Sequence, residues 1–285
     1  MSGKFNGVQG KILEDQPLAF YSHCSAHVLN LCVVDVCDNL LVTNAIGTVK
    51  QIINFFSDSS KRLRILKENA KDNNAQHDSL LSLCETRWLA RSDAICRFLE
   101  LYEVIISTLM EINTDRTSTF DPKSRSLADS LSTSFTTFRF IITLFIIKGF
   151  LSYLNSISKT LQSVQLDVIA AANEISDAIV FFQAVRSNID DYYEEIYNDC
   201  IGLCENVDIT PDNPRNCKSS PKDYYRIHCA IPLIDHIISQ LKTRFDSLIQ
   251  KSSKICRLLP SRICSLNHEE IDSLSTELYN IYHVD

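Results

Sequence analysis

Apolar residues recur along most of this chain at intervals of three and four, the spacing that puts them on one face of a helix. Val42, Ile46, Val49, Ile53 and Phe56 form one such stripe, which predicts helix over about 41–71. Ile95, Phe98, Leu99, Tyr102, Ile105, Ile106 and Leu109 form another, ending near Asn113. Three long helical patterns follow at about 127–155, 157–186 and 187–204. Ile231, Ile234, Ile237, Ile238, Leu241, Phe245 and Leu248 are in phase within 223–251, and Asn267 is placed to cap a last helix over about 269–282. The most apolar run, 140–150, contains Lys148, is too short to span a bilayer and reads as a buried helix.

The N-terminal part is patterned differently. A glycine-spaced, polar start leads to a short helix at about 8–14. Short apolar runs at 19–21 and 80–84 then end in polar residues where helices begin, at 26–38 and beyond Trp88. Each reads as a buried strand followed by a helix. Binding and reactive side chains of α/β sheets gather where strands end and helices start, so His27 and Trp88 stand at candidate positions. Two strands cannot close a sheet, so their partners are expected outside this chain. Polar segments at 69–77, 115–126 and 202–222 separate the patterns, and the last, with three Pro, reads as an exposed connector. The sum is two short strands and seven or eight helices, with no repeat of fixed period.

Composition narrows the choice. The 285 residues are 45% apolar with 6 Gly and 7 Pro, which fits a folded, helix-rich chain better than a loop-rich all-β one. The net charge of −7 is the reverse of a free-standing DNA-binding module, so contact with nucleic acid would need a local patch. Lys61, Arg62, Arg64, Lys67 and Lys71 are the best such patch, although Glu68 and Asp72 interrupt it and a charged helix end is commonly a solvated face. Eleven Cys without regular spacing, and no signal-like apolar start, point to reduced thiols in a cytosolic or nuclear protein. Neither a membrane span nor an amphipathic anchor stands out.

Candidate chemistry is sparse. Cys24 and His27 have the spacing of half a zinc site, but a structural zinc needs four ligands, and Cys32 and Cys37 fall poorly on the following helix. The plainer reading is a small buried thiol and a hydrogen-bonded His at a strand end. Cys200, Cys204 and Cys217 flank the connector without a suitably spaced His. Asp15, Asp35, Asp38 and Glu85 show no convergence of the kind hard cations require. Trp88, the single tryptophan, reads by itself as a packing residue.

The order Cys24-x-x-His27-x-x-Asn30-Leu31, a helical spacer and then Cys84-x-Thr86-Arg87-Trp88 resembles the hAT superfamily of DNA transposases. The likeness is greatest to its domesticated or decaying members of the zinc finger MYM-type protein 1-like and repressor-of-kinase-inhibitor-like kinds. Residues 1–9 resemble the stretch just after the family's second catalytic aspartate. Tyr224-Tyr225-Arg226, Ile231-Pro232-Leu233-Ile234-Asp235 and Leu241-Lys242-Thr243-Arg244-Phe245 are similar to the end of its helical insertion.

The resemblance implies a mainly α chain: a partial ribonuclease-H-like α/β segment over 1–86, an all-helical insertion domain over 87–260, and a short helix in 261–285 leading towards a further core segment. It implies that three carboxylates hold divalent metal in the full-length family. None of the three is expected here, so no cofactor and no strand cleavage are expected of this chain. It implies that His27, Arg87 and Trp88 lie near DNA, Trp88 stacking on an extruded base and Arg87 meeting phosphate. It also implies a nuclear place, with DNA or nuclear proteins as partners, and a dimerisation region beyond Asp285. A helical protein-interaction module of transcriptional regulation is the alternative.

Overall fold

The computed structural model describes residues 7–17, 24–36, 39–83, 88–117, 119–162, 168–214, 217–256, 263–264 and 266–282. Among them the secondary structure is helical, with no strand. The helices are α1 (Val8–Asp15), α2 (Ser25–Val36), α3 (Leu40–Ser57), α4 (Ser60–Asp72), α5 (Trp88–Glu100), α6 (Tyr102–Asn113) and α7 (Pro122–Phe135). After them come α8 (Phe138–Leu161), α9 (Val168–Ser187), α10 (Ile189–Asn206), α11 (Pro221–Tyr225), α12 (Ile231–Cys256) and α13 (His268–Tyr282). A π turn over Arg226–Ala230 joins α11 to α12. Pro232 comes two residues later, and its missing N–H and ring disfavour an ordinary helical bond to residue 228.

Several predicted helices are divided by caps that the apolar period does not reveal. The stripe over 41–71 breaks at Ser59, which is extended (φ −145°, ψ 114°) and whose hydroxyl accepts from the N–H of Arg62. Leu101 separates α5 from α6 in the middle of one continuous apolar face. The polar turn expected to reach 126 stops at Asp121, because Asp121 caps Ser124 N–H and Pro122 takes the first helical position. Thr137 caps α8 through Phe140 N–H at 3.3 Å. At the other end, α13 starts with the predicted Asn267 cap: Asn267 accepts from Glu270 N–H and donates its own N–H to the Glu270 carboxylate, both at 2.9 Å.

The α/β segment is the correction. Residues 80–83 run as irregular chain, with Leu80 and Leu83 partly buried against the helical core. Their apolar character is used by packing on helices, so no ladder partner is needed. The companion run at 19–21 lies outside the described residues, as do Arg87 and Cys84.

One apolar cluster extends from Ala26 to Phe245, so α2, α3 and α4 share a core with helices beyond residue 86. α8 lies at its centre, in contact with α2, α3, α5, α7, α9 and α10. Phe98, Tyr102, Phe135 and Phe140 interlock with centroids 5.1–6.5 Å apart, mostly edge to face. The Tyr102 hydroxyl donates to the Phe135 carbonyl at 2.6 Å, satisfying one acceptor at the end of α7. Gly149 lets α10 come close: a Cβ there would stand 2.7 Å from Cδ1 of Ile196, and Tyr192 donates to the Gly149 carbonyl at 3.0 Å. α12 packs on α9 and α2, with Arg186 forked onto Asp235 at 2.7 and 3.4 Å.

Candidate functional site

The basic cluster sits on α4, and the structure divides it by role. Arg62 is half-buried. Its Nε donates to the Phe55 carbonyl at 2.6 Å, its guanidinium reaches Ser124 Oγ at 3.0 Å, and its plane lies 4.3 Å from the Phe55 ring centroid. These contacts tie α3, α4 and α7 together, so Arg62 acts as a structural bracket. Lys61 donates to the Thr119 carbonyl and stands over the Phe120 ring. Arg64 pairs with Glu68 at 3.3 Å and Lys67 with Asp78 at 3.9 Å, while Lys71 is exposed. The net field of this face is therefore smaller than five cations in eleven residues suggest.

Cys24 and His27 are exposed at the start of α2, so Cys24 is not the buried thiol that its apolar surroundings in the sequence suggest. Trp88 is the first residue of α5. α2 packs against α5, so the tertiary structure brings the two motif-bearing helices side by side although about sixty positions separate them in sequence. Among the described residues no three His, Cys, Asp or Glu side chains converge, so Cys32 does not complete a metal set with Cys24 and His27; Cys37 lies outside the described residues. Cys32 is buried, and its thiol lies 3.6 Å from the Gln240 carbonyl of α12.

The connector cysteines separate in the same way. Cys200 and Cys204 are buried on one face of α10 with their sulfurs 3.9 Å apart, whereas Cys217 meets Ser219 Oγ at 3.0 Å in the connector. Burial holds the Cys200 thiol well above its ordinary value and pushes Cys229 up to about 12. These groups stay protonated and behave as small apolar side chains.

Sequence reasoning did not find the cleft between α3, α7 and α8. It has a volume of 310 Å³, with Asn44, Thr48, Ser134 and Thr137 around an apolar floor that includes Phe140. Arg139 is the one charged side chain lining it. The residues come from places almost a hundred positions apart, and the only local signal was an arginine beside a strongly apolar run.

The geometry defines an all-helical arrangement built on one core, with Cys24 and His27 exposed and no assembled metal centre among the described residues. The chain belongs to the FAM200/GTF2IRD2-like family, whose helical-domain description matches residues 23–184. It is 26% identical over 295 aligned positions to the human 52 kDa repressor of the inhibitor of the protein kinase, covering 98% of this chain and 38% of that protein. The mouse protein of the same name is 25% identical, with 98% of this chain and 39% of the relative covered. The chain thus spans about two fifths of these relatives. No solved structure matches it. The expected likeness to repressor-of-kinase-inhibitor-like proteins is borne out at this level.

Proposed function

We propose that this chain is the helical part of a transposase-derived nuclear protein, of hAT ancestry, that recruits other proteins in transcriptional regulation and does not cut DNA. The observation that carries this is the occupation of the basic cluster by the protein's own acceptors. A DNA-binding face presents cations to phosphate, and counterion release rewards each one left free. Here Arg62 is built into the packing, and Arg64 and Lys67 face carboxylates. The kinship supports the reading too, since the relatives are named as repressors. The expected catalytic acids have no counterpart at motif positions in the sequence, so no cofactor held by this chain enters the proposal.

The test is duplex-DNA binding followed by fluorescence anisotropy across salt concentrations, alongside affinity capture from nuclear extract. The expected result is weak binding whose salt slope is unchanged by neutralising Lys61, Arg64 and Lys67 together, with a reproducible protein partner recovered. A steep slope abolished by those substitutions would transfer the function to nucleic acid.

The packing of α2 against α5 favours one second reading, residual single-strand contact at His27, Arg87 and Trp88. Trp88 is the only tryptophan, so its fluorescence reports directly. Stacking on a base quenches it, and base–aromatic stacking is worth about 1–3 kcal/mol. Saturable quenching by an oligonucleotide, weakened by His27→Ala, supports this contact; unaltered emission removes it.

A further inference from the structure

The connector between α10 and α11 carries a chemical signal that neither the family nor the basic cluster uses. Of the 7 Pro, only Pro211 and Pro221 come directly after a hydroxyl residue, and both lie in this connector, as Thr210-Pro211 and Ser220-Pro221. Ser220 is exposed and extended (φ −64°, ψ 154°), with Lys218 and Ser219 exposed before it. An exposed, extended hydroxyl residue preceding proline is the substrate form that proline-directed kinases take.

The surroundings of Ser220 give the position a consequence. Its hydroxyl donates to Asp223 Oδ2 at 2.7 Å and accepts from Asp223 N–H at 3.1 Å. The other oxygen of Asp223 meets Arg226 at 3.3 Å. Arg226 also pairs with Asp190, and Lys222 pairs with Glu194, both acids being on α10. α11 and the π turn after it are thereby clamped to α10 by one cation each, with Asp223 linking Ser220 to Arg226.

We propose that Ser220 is the phosphoacceptor of a proline-directed serine/threonine kinase, and that phosphate there releases the clamp of Lys222 and Arg226 on α10. In the transfer, Ser220 Oγ forms a bond to the γ-phosphorus of MgATP as the bond to the ADP oxygen breaks. The hydroxyl proton passes to the kinase's base carboxylate. The product ester has no proton to give Asp223, and about −1.5 to −2 charges arrive beside that carboxylate. Lys222, two residues on, and Arg226, already bonded to Asp223, exchange Glu194 and Asp190 for phosphate oxygens, which make stronger charge-assisted bonds. Thr210 has no such neighbours among the ion pairs of the described residues.

The experiment treats the full chain with MgATP and a purified proline-directed kinase. Tandem mass spectrometry reads the site, and hydrogen exchange reads α10. The expected outcome is phosphate on Ser220, absent from Ser220→Ala and retained in Ser220→Thr and Thr210→Ala. Exchange in the first turns of α10 should rise several-fold, and the double variant Lys222→Gln/Arg226→Gln should reproduce that rise without phosphate. The threonine variant keeps a capping hydroxyl, so it separates loss of the acceptor from loss of the cap. Two results would overturn the proposal: a folded chain that accepts no phosphate at Ser220 while the heat-unfolded chain does, or a Ser220-phosphorylated chain whose α10 exchanges as before.

Discussion

α8 and α13 are both regular helices, yet they use their apolar residues in opposite ways. α8 runs for 24 residues and is long and apolar enough, by length and composition, to cross a membrane. Two thirds of its most apolar window (67%) is instead buried inside the protein, from Phe138 through Leu161. α13 has a well-formed cap and a periodic apolar face, but Leu274 is buried while Ile271 and Tyr279 remain 37% and 50% exposed. A capped amphipathic helix is thus a local achievement, and what its face covers is settled by neighbours. Of these two, α8 supplies the core, with buried residues along its whole length, while α13 buries Leu274.

The sharpest way to break this comparison is to empty a position at the centre. Phe98→Ala removes a ring held by Tyr102, Phe135 and Phe140 and should destabilise the fold by about 3–5 kcal/mol, read as a lowered denaturation midpoint. Ile271→Ala on α13, at a 37% exposed position, should stay within about 0.5 kcal/mol of the parent in the same measurement. A large loss there would mean that the outer face of α13 is covered in solution.

A smaller effect is expected from Tyr102→Phe, which keeps the ring but leaves the Phe135 carbonyl without its 2.6 Å donor. The cost should be about 1–3 kcal/mol, the desolvation penalty of a buried acceptor. The α4 cations offer the next contrast. Arg62→Ala should destabilise by about 1–3 kcal/mol through its lost carbonyl bond and ring contact, whereas Arg64→Ala, in an exposed pair, should change stability by less than about 0.5 kcal/mol. Equal effects would contradict the division between bracket and surface.

The smallest effect is electrostatic. Asp115 is held down to about 2 by the Thr117 hydroxyl first, and by the Phe120 N–H among other donors. Its folded value lies below the unfolded one, so its contribution is present above the ordinary carboxylate range, near pH 4, and is lost as pH falls through about 2. Carboxyl titration by NMR should show the depressed midpoint in the parent, and Thr117→Ala should move it up. An ordinary midpoint would remove this turn from the acid-sensitive parts of the fold.

Much of the helical content was legible because helix period and caps are properties of neighbouring residues. The stripe on α3, the Asn267 cap and the polar connector after α10 can all be read from residues close together in the chain. The run over 80–83 packs on helices and is not a strand, and its sequence misleads because a short apolar run has no period to distinguish the two. Breaks at Ser59 and Leu101 escaped because the apolar phase continues across them.

The sequence alone determined that the chain is mainly helical, where its connector lies and which residues carry the family resemblance, since these are written in local spacing. Tertiary structure decided that Arg62 is a bracket, that α2 lies against α5 and which helices surround α8. Each of those depends on groups distant along the chain, Ser124 for Arg62 and six neighbouring helices for α8. Their meeting is fixed by how the apolar faces pack, which no local period encodes.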